Sequence, residues 1–550
     1  MTQDFIDLIK KNIEGDVDTT DKTLSDHSHD ASLFEIKPEI VVFPKNSQDI
    51  KNIVSLVVTY KKAYPNLSIV ARSAGTDMSG GALGNSIVLD FTRYMNTIKN
   101  ISPSSVTVEP GCFYRDLEKE TLKINRIMPA YTASKEICAV GGMVANNSGG
   151  EKTIKYGKVE NYIEKLNVVF TDGHEYSITP LTEEELENKI KQDSFESKIY
   201  ANIKKLIDSN NELVARAKPN VSKNSAGYYL WNVYRDDGRF DLNKILVGSQ
   251  GTLVIITEIT WRLVPVEPHS NVLAIFMPTI KELSHIVNEI LPFKPDSLES
   301  YDDYSMKLAV KFFFDFFKQL GFWGAIRLGL TFLPEAFMML TGGVPKLILL
   351  VEFSGKTPEE VTKELQKVQN KIAHFGYKTH IAKNAKEAEK YWRIRRESFN
   401  MLRKHVQGKR TAPFIDDIIV NPEYLPEFLP KIQALLQEYN LIYTIAGHAG
   451  NGNFHIIPLM DLDSPFGSDT ILELSTKVYD LVHIYKGSIT AEHNDGIIRT
   501  PYLEQMFGTD VIELFKQTKN IFDPHNILNP GKKVGGTKEN IKKYLKKKSI

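Results

Sequence analysis

Apolar residues fall first into two short β-branched runs, residues 68–71 (SIVA) and 86–91 (SIVLDF), whose turn-rich borders predict strands. Upstream, PEIVVFPKNSQDIKNIVSLVVTYKKAYPNLSIVARSAG reads as strand, Pro44 turn, amphipathic helix and strand, a βαβ unit that delivers the chain to a glycine-rich loop. A strand at 105–109, a Pro110-Gly111 turn and a helix from about Tyr114 follow, and residues 248–258 (GSQGTLVIITE) turn on glycine into another strand. After WRLVP (261–265) the pattern becomes strand, helix, strand (NVLAIFMPT, KELSHIVNEIL, DSLESYD) and resumes with KLILLVEF and PEEVTKELQKVQNKIAHF. That predicts a second domain, an antiparallel sheet with helices on one face.

Length and charge bound the rest. A chain of 550 residues suggests about two to four domains. Lys and Arg together number 68, as do Asp and Glu, so no global charge points to nucleic acid. The two cysteines, Cys112 and Cys138, supply neither a disulfide framework nor an iron–sulfur ligand set, and the N-terminal stretch lacks a signal-peptide pattern. A cytoplasmic protein is expected.

Between the first two strands lies RSAGTDMSGG (72–81), where Gly75, Gly80, Gly81 and small neighbours let backbone N–H groups approach an anion such as a pyrophosphate. A Rossmann fingerprint requires a helix to open right after the glycines; here Gly84-Asn85 leads into a strand. Alone, the loop is equally a structural turn. AVGGMVANNSGG (139–150), with its adjacent asparagines, also implies close backbone approach to a flat or phosphorylated ligand.

Two C-terminal stretches carry sharper chemistry: GHAGNGNFH (447–455) and AEHNDG (491–496). Single histidines are mostly structural, but three beside a glutamate are another matter. Two imidazoles and a carboxylate suffice to hold a divalent metal with open positions. The spacing of His448 and His455 suits a loop running into a strand, not one helix face.

These motifs in this order (RxxGTxxSGG between strands, VEPG, GGMVANNSGG with YG, GSxGTL) resemble the FAD-binding domain of the vanillyl-alcohol-oxidase-like flavoproteins. More narrowly, the chain is similar to the branch containing FAD-linked D-lactate dehydrogenases, glycolate oxidase flavoprotein subunits and D-2-hydroxyglutarate dehydrogenases. The resemblance implies an α+β protein: a two-subdomain FAD-binding domain, an α+β cap and a C-terminal helical segment. Boundaries are expected as lead 1–37, FAD domain 38–267, cap 268–490, returning segment 491–534 and basic tail 535–550.

It further implies that Arg72, Ser73, Ala74, Gly75, Thr76, Asp77 and Met78 cradle the FAD pyrophosphate. Ser134, Gly141, Gly142, Asn146 and Asn147 line the dinucleotide, Ile255 and Ile256 make backbone contacts near the adenine, and Asn529 returns to the flavin. Ser73 and Ala74 stand where many relatives have glycine, and Gln250 where Glu is commoner. No well-placed His or Cys offers a covalent link, so FAD is expected to be non-covalent. His448, His455 and Glu492 are the implied ligands of a divalent metal, Zn or Mn, and His493 the catalytic base.

The implied reaction is oxidation of a D-2-hydroxy acid by hydride transfer to flavin N5, with the metal lowering the hydroxyl's acidity barrier and His493 taking its proton. For the substrate carboxylate, Arg395 matches by spacing, and Lys409 or Arg410 is a second cation; His448 and His455 also face substrate through the metal. Ile457 replaces a polar Asn of the hydroxyglutarate enzymes, which favours a monocarboxylic substrate such as D-lactate. Glycolate, D-2-hydroxyglutarate, another alcohol, or a non-catalytic flavin-binding subunit are the alternatives. With no iron–sulfur or nicotinamide motif, electrons are expected to pass to a quinone, a cytochrome or an electron-transfer protein.

Two features lie outside that chemistry. The aromatic stretch 312–343, within an insertion at about 306–345, carries too many charges for a membrane span; extra core or oligomer contact (a homodimer being one form), membrane-surface element and active-site lid are its readings. The lysine-rich tail reads either as disordered or as a peripheral membrane contact.

Overall fold

The computed structural model describes residues 1–302, 345–405, 410–464 and 467–546. Residues 312–343 and Lys409 lie outside them. The chain divides into two compact units: Met1–Gly150, Gly157–Val266 and Ser468–Ile550 form one, Glu151–Tyr156 and Glu267–Gly467 the other. Where the expected cap spans 268–490, the second unit ends at Gly467, and the helix Gly467–Ile484 groups almost wholly with the first unit, as do the N-terminal lead and the tail.

In the first unit the predicted βαβ is present. Strands Ile40–Phe43, Ile69–Arg72 and Ile87–Asp90 run parallel, with Asp16–Asp18 antiparallel at the edge. The intervening helix Ser47–Tyr60 starts where the Asn46 side chain accepts a bond from the Asp49 N–H. It turns Ile50, Ile53, Val54 and Val57 inward, the helical i, i+3, i+4, i+7 stripe. Burying each side chain stabilises the unit by about 1.5–3 kcal/mol. A second, antiparallel sheet orders strands Ile98–Ile101, Ser105–Val108, Ile255–Arg262, Ile163–Val169 and Glu175–Ile178.

The tail folds too. After Gly531 the chain forms a helix, Lys538–Tyr544, and Leu545 bridges to Phe34. Through Lys546, whose N–H donates to the Leu33 carbonyl, these residues belong to the unit's own fold.

The second unit is built on an eight-stranded sheet whose pairings are all antiparallel. Its order is Lys378–Ile381, His269–Met277, Leu347–Gly355, Ser297–Asp302, Ile442–His448, Asn453–Met460 and Arg410–Thr411, and the eighth strand, Ile418–Ile419, pairs with Asn453–Met460 off this path. One face is covered by the helix Ala385–His405: Ala388, Tyr391 and Trp392 pack with Tyr301, Ile348 and Leu350 of the strands. The strand-helix-strand reading holds for His269–Met277, Leu283–Ile290 and Ser297–Asp302. Among the described residues no helix is long and apolar enough to cross a membrane.

Candidate active site

In the first unit, the strand Ile69–Arg72 opens into the glycine loop, where Gly75 has φ +65°. A Cβ there would lie 2.1 Å from Arg72 Nη2, so the guanidinium folds back over its own loop only because residue 75 has no side chain. The Asp77 carboxylate braces the turn, accepting from the N–H of Ser79 (3.0 Å) and Gly81 (2.7 Å) and from Ser79 Oγ (2.8 Å). Its other oxygen accepts from Asn146 Nδ2 at 2.9 Å. What Asp77 offers a ligand is therefore its backbone. Ala74, Thr76 and Met78 lie half-buried in the same loop.

The separated motifs converge. Ser73 Oγ and the Gly141 N–H both donate to the Pro110 carbonyl (3.1 and 2.9 Å), and a Cβ on Gly141 would come within 2.7 Å of both neighbours. The helix Val140–Asn146 ends at Asn147 in the left-handed region. Gln250 joins four segments: its N–H donates to the Ala145 carbonyl, Nε2 to Ser79 Oγ (3.0 Å), Oε1 accepts from the Gly496 N–H (2.8 Å), and its carbonyl accepts from Asn529 Nδ2 (2.6 Å). Since Ser79 Oγ already gives its proton to Asp77, it needs a donor, which an amide supplies and a carboxylate lacks. Ser134 bonds Thr132 (2.9 Å), while Ile255 and Ile256 pair with Val169 and Val168.

These residues fit an FAD diphosphate and dinucleotide. Arg72 Nη1, Asn147 Nδ2 and Asn529 Oδ1 are buried without a hydrogen-bond partner among the described residues, an arrangement costly unless a ligand completes it. Burial lowers the Arg72 pKa, against the opposing pull of Asp30, Asp90 and Asp77. Burial, with Asp77 beside it, raises Asp30 to about 7.

The same unit carries Glu492 and His493. Glu492 Oε2 lies 3.0 Å from Nζ of Lys223, whose side chain is fully buried, and Oε1 lies 3.9 Å from His493 Nε2. Lys158 donates to the Ala491 carbonyl (2.7 Å) and so anchors the preceding residue. Neither lysine carries a sequence signal.

In the second unit, His448 ends the strand Ile442–His448 and His455 lies in Asn453–Met460, the two joined by a tight turn. Gly452 has φ +72°, and a Cβ there would collide with the Val420 carbonyl. The pairs His448–Asn453, Ala446–His455 and Thr444–Ile457 put both histidines and Ile457 on one sheet face. The two rings meet edge-on, with centroids 5.2 Å apart. His448 Nδ1 is 2.6 Å from Glu299 Oε1, and His455 Nδ1 is 3.0 Å from the Asp416 carbonyl. Both acceptors call for a proton on Nδ1, leaving Nε2 as the electron-pair donor. Asp417, buried and missed by the sequence reading, offers a carboxylate oxygen within 4.8 Å of the His455 donor nitrogen. His455 and Asp417 thus bring ligand atoms close enough to share a divalent cation, whereas His448, on the same sheet face, is not among the ligand atoms gathered within that distance.

Of the predicted substrate cations, Arg395 lies 3.2 Å from Glu299 Oε2, and Arg410 pairs with Asp463 at 2.8 Å. Arg396 grips Glu151 through two bonds of 2.8 Å, and Lys155 bonds Asp296 at 2.8 Å, fastening the hexapeptide Glu151–Tyr156 within this unit.

Comparison with known proteins gives two family matches, the second of which begins at the Val266 boundary but runs on past Gly467. Residues 38–179 match the family described as FAD binding domain, and residues 266–533 that described as FAD linked oxidases, C-terminal domain. The chain is 27% identical over 514 residues to a D-2-hydroxyglutarate dehydrogenase of Pseudomonas putida, covering 92% of this chain and 49% of that protein. It thus spans about half the length of that relative. It is 26% identical to a D-lactate dehydrogenase of Archaeoglobus fulgidus (90% of this chain, 91% of that one) and 25% identical to glycolate oxidase subunit GlcD of Bacillus subtilis (92% and 91%). Among solved structures, 4-ethylphenol oxidase from Gulosibacter chungangensis (TM-score 0.69, 98% of this chain and 97% of that one) and p-cresol methylhydroxylase (TM-score 0.67, 98% of each) share the fold, each at 15% identity.

Proposed function

The chain belongs to the FAD-linked oxidases, with an FAD binding domain and an FAD-linked-oxidase C-terminal domain, and on that premise we propose that it oxidises a D-2-hydroxy acid, D-lactate first among them, to the 2-oxo acid. The observation that carries the reading is the hairpin at His448 and His455, where both imidazoles are held by Nδ1 and present Nε2 on one sheet face. A sugar or phenol oxidase needs no such pair.

Arg72, Gly75, Gly141, Asn147 and Asn529 would hold FAD, and His448, His455 and Glu492 a divalent cation, with Asp417 a further carboxylate beside His455. Bound FAD supplies a two-electron acceptor, and the cation a Lewis acid for the substrate hydroxyl. His493 takes the hydroxyl proton on its imidazole nitrogen. Arg395 pairs with the substrate carboxylate and fixes which carbon faces the reacting centre. Ile457, in the place of a polar residue, gives a second carboxylate no partner, which favours a monoacid over D-2-hydroxyglutarate. Electrons leave to a quinone, cytochrome or electron-transfer protein.

The test is anaerobic mixing of the flavin-loaded protein with D-lactate, L-lactate, glycolate and D-2-hydroxyglutarate while following absorbance at the flavin band. D-lactate is expected to bleach it fastest, and His493→Ala to slow bleaching about a hundredfold or more with flavin retained. Bleaching by D-2-hydroxyglutarate alone would move the substrate to a diacid. No bleaching by any of them would sink the hydroxy-acid reading.

A further inference from the structure

Glu299 belongs to no motif; its strand, Ser297–Asp302, reads from sequence only as part of the cap. Ser300 pairs with Gly447 and Tyr301 with Ala446, which brings Glu299 opposite His448 on the same face. Its side chain is 1% exposed and those of His448 and Arg395 are 3% and 10%, so all three are removed from water. One oxygen lies 2.6 Å from His448 Nδ1 and the other 3.2 Å from Arg395 Nη2. We propose that Glu299 is a positioning residue that acts through both partners at once, holding His448 with Nε2 as its metal-donor nitrogen and Arg395 in place for the substrate carboxylate.

The chemistry follows from which groups can donate. Glu299 faces a nitrogen on each of its oxygens, and a carboxylate only accepts hydrogen bonds. The imidazole must then carry its proton on Nδ1, and that proton cannot move to Nε2 without leaving the buried carboxylate facing a lone pair. His455 gets the same orientation from a backbone carbonyl, which cannot be mutated away; at His448 the acceptor on Nδ1 is a replaceable side chain. Arg395 in turn is held by a charge that a substrate carboxylate joins. Loss of Glu299 therefore disturbs two functions that a purely structural residue would not link.

This rests on the proposed metal-assisted reaction, and the experiment separates the two. Full-length wild type, Glu299→Gln and Glu299→Ala are loaded with FAD, and their zinc and manganese affinities are measured by competition with a chromophoric chelator. Flavin content serves as the control for folding. Weakening by about 10–100-fold in Glu299→Ala, less in Glu299→Gln, with unchanged flavin content, is expected. Side-chain 15N spectra of the metal-free protein are expected to show His448 protonated at Nδ1 in wild type and as a mixture of tautomers in Glu299→Ala. Wild type that binds neither metal yet shows the Nδ1–H form would end the metal reading and leave the positioning of His448 standing. A wild-type His448 protonated at Nε2, or a measurable metal affinity in wild type that is unchanged in both variants, would overturn the role given to Glu299.

Discussion

Lys533→Met is expected to destabilise the first unit by about 3–5 kcal/mol, the usual cost of removing one partner from a buried ion pair. Lys533 and Asp495 are both 0% exposed, with Nζ 2.9 Å from Oδ2. Nζ also donates to the carbonyls of Ser225 (2.8 Å) and Gly227 (2.9 Å), and Asp495 Oδ2 accepts from the Gly227 N–H (2.9 Å). Asp495 Oδ1 is buried with no hydrogen-bond partner among the described residues, so methionine would leave a buried carboxylate with its main cation gone and two carbonyls without their lysine donor. Burial lowers the lysine's pKa and Asp495 opposes that, which is why the charge survives only as a pair. At or below about 2 °C per kcal/mol for a unit of this size, the melting midpoint should fall by roughly 5–10 °C. The assay is thermal melting of the flavin-loaded protein, with Asp495→Asn and the double variant completing a cycle. Because the pair's own Coulomb gain is largely offset by desolvation, the double variant should recover part of the loss. A single variant within about 1 kcal/mol of wild type, or strictly additive losses, would refute the reasoning.

Gly75→Ala should weaken FAD retention at least tenfold. The left-handed backbone costs an L-residue about 1–2 kcal/mol, and the new Cβ would strike Arg72, whose unpartnered Nη1 is assigned to the diphosphate. The ratio of flavin to protein absorbance after gel filtration is the check, and a wild-type ratio would remove Arg72 and the loop from the cradle. A second expectation concerns pH. The folded Asp30 carboxyl titrates near 7, because its burial and Asp77 disfavour charge, whereas the unfolded one titrates near 3.9. The folded state binds the extra proton between those values, so this stabilisation is full below about pH 4 and lost as pH rises through 7. The loss is at most about 4 kcal/mol, since Asp30 is half-buried by area although its unpartnered Oδ2 is enclosed. Urea midpoints of the flavin-free protein at pH 5 and 8 should differ more for wild type than for Asp30→Asn; equal differences would count against it.

Local pattern made much of this protein legible. The β-branched runs around the glycine loop, the amphipathic helix Ser47–Tyr60, and the turn between His448 and His455 depend on neighbours in sequence, so propensity and periodicity suffice to read them. Motif order sufficed for the family. Side-chain commitments are of another kind. That Asp77 braces its own loop is set by geometry inside a turn, and that Gln250 needs an amide to satisfy Ser79 and that the basic tail folds through Lys546 against Leu33 are set by partners 171 and 513 residues away.

The order of the motifs, through the family resemblance it carries, determined the cofactor class, while the strand and helix patterns gave the two-part architecture and the glycine-flanked motifs marked the histidines worth attention. Only the tertiary structure decided which nitrogen each histidine presents, and which buried charges answer one another: Glu299 for His448 and Arg395, Lys223 for Glu492, Lys533 for Asp495. The physical reason is that a buried charge tolerates no solvent in place of a partner. Its pairing is therefore compulsory in the fold, yet the partner can come from any strand or loop that the packing brings within about 3 Å.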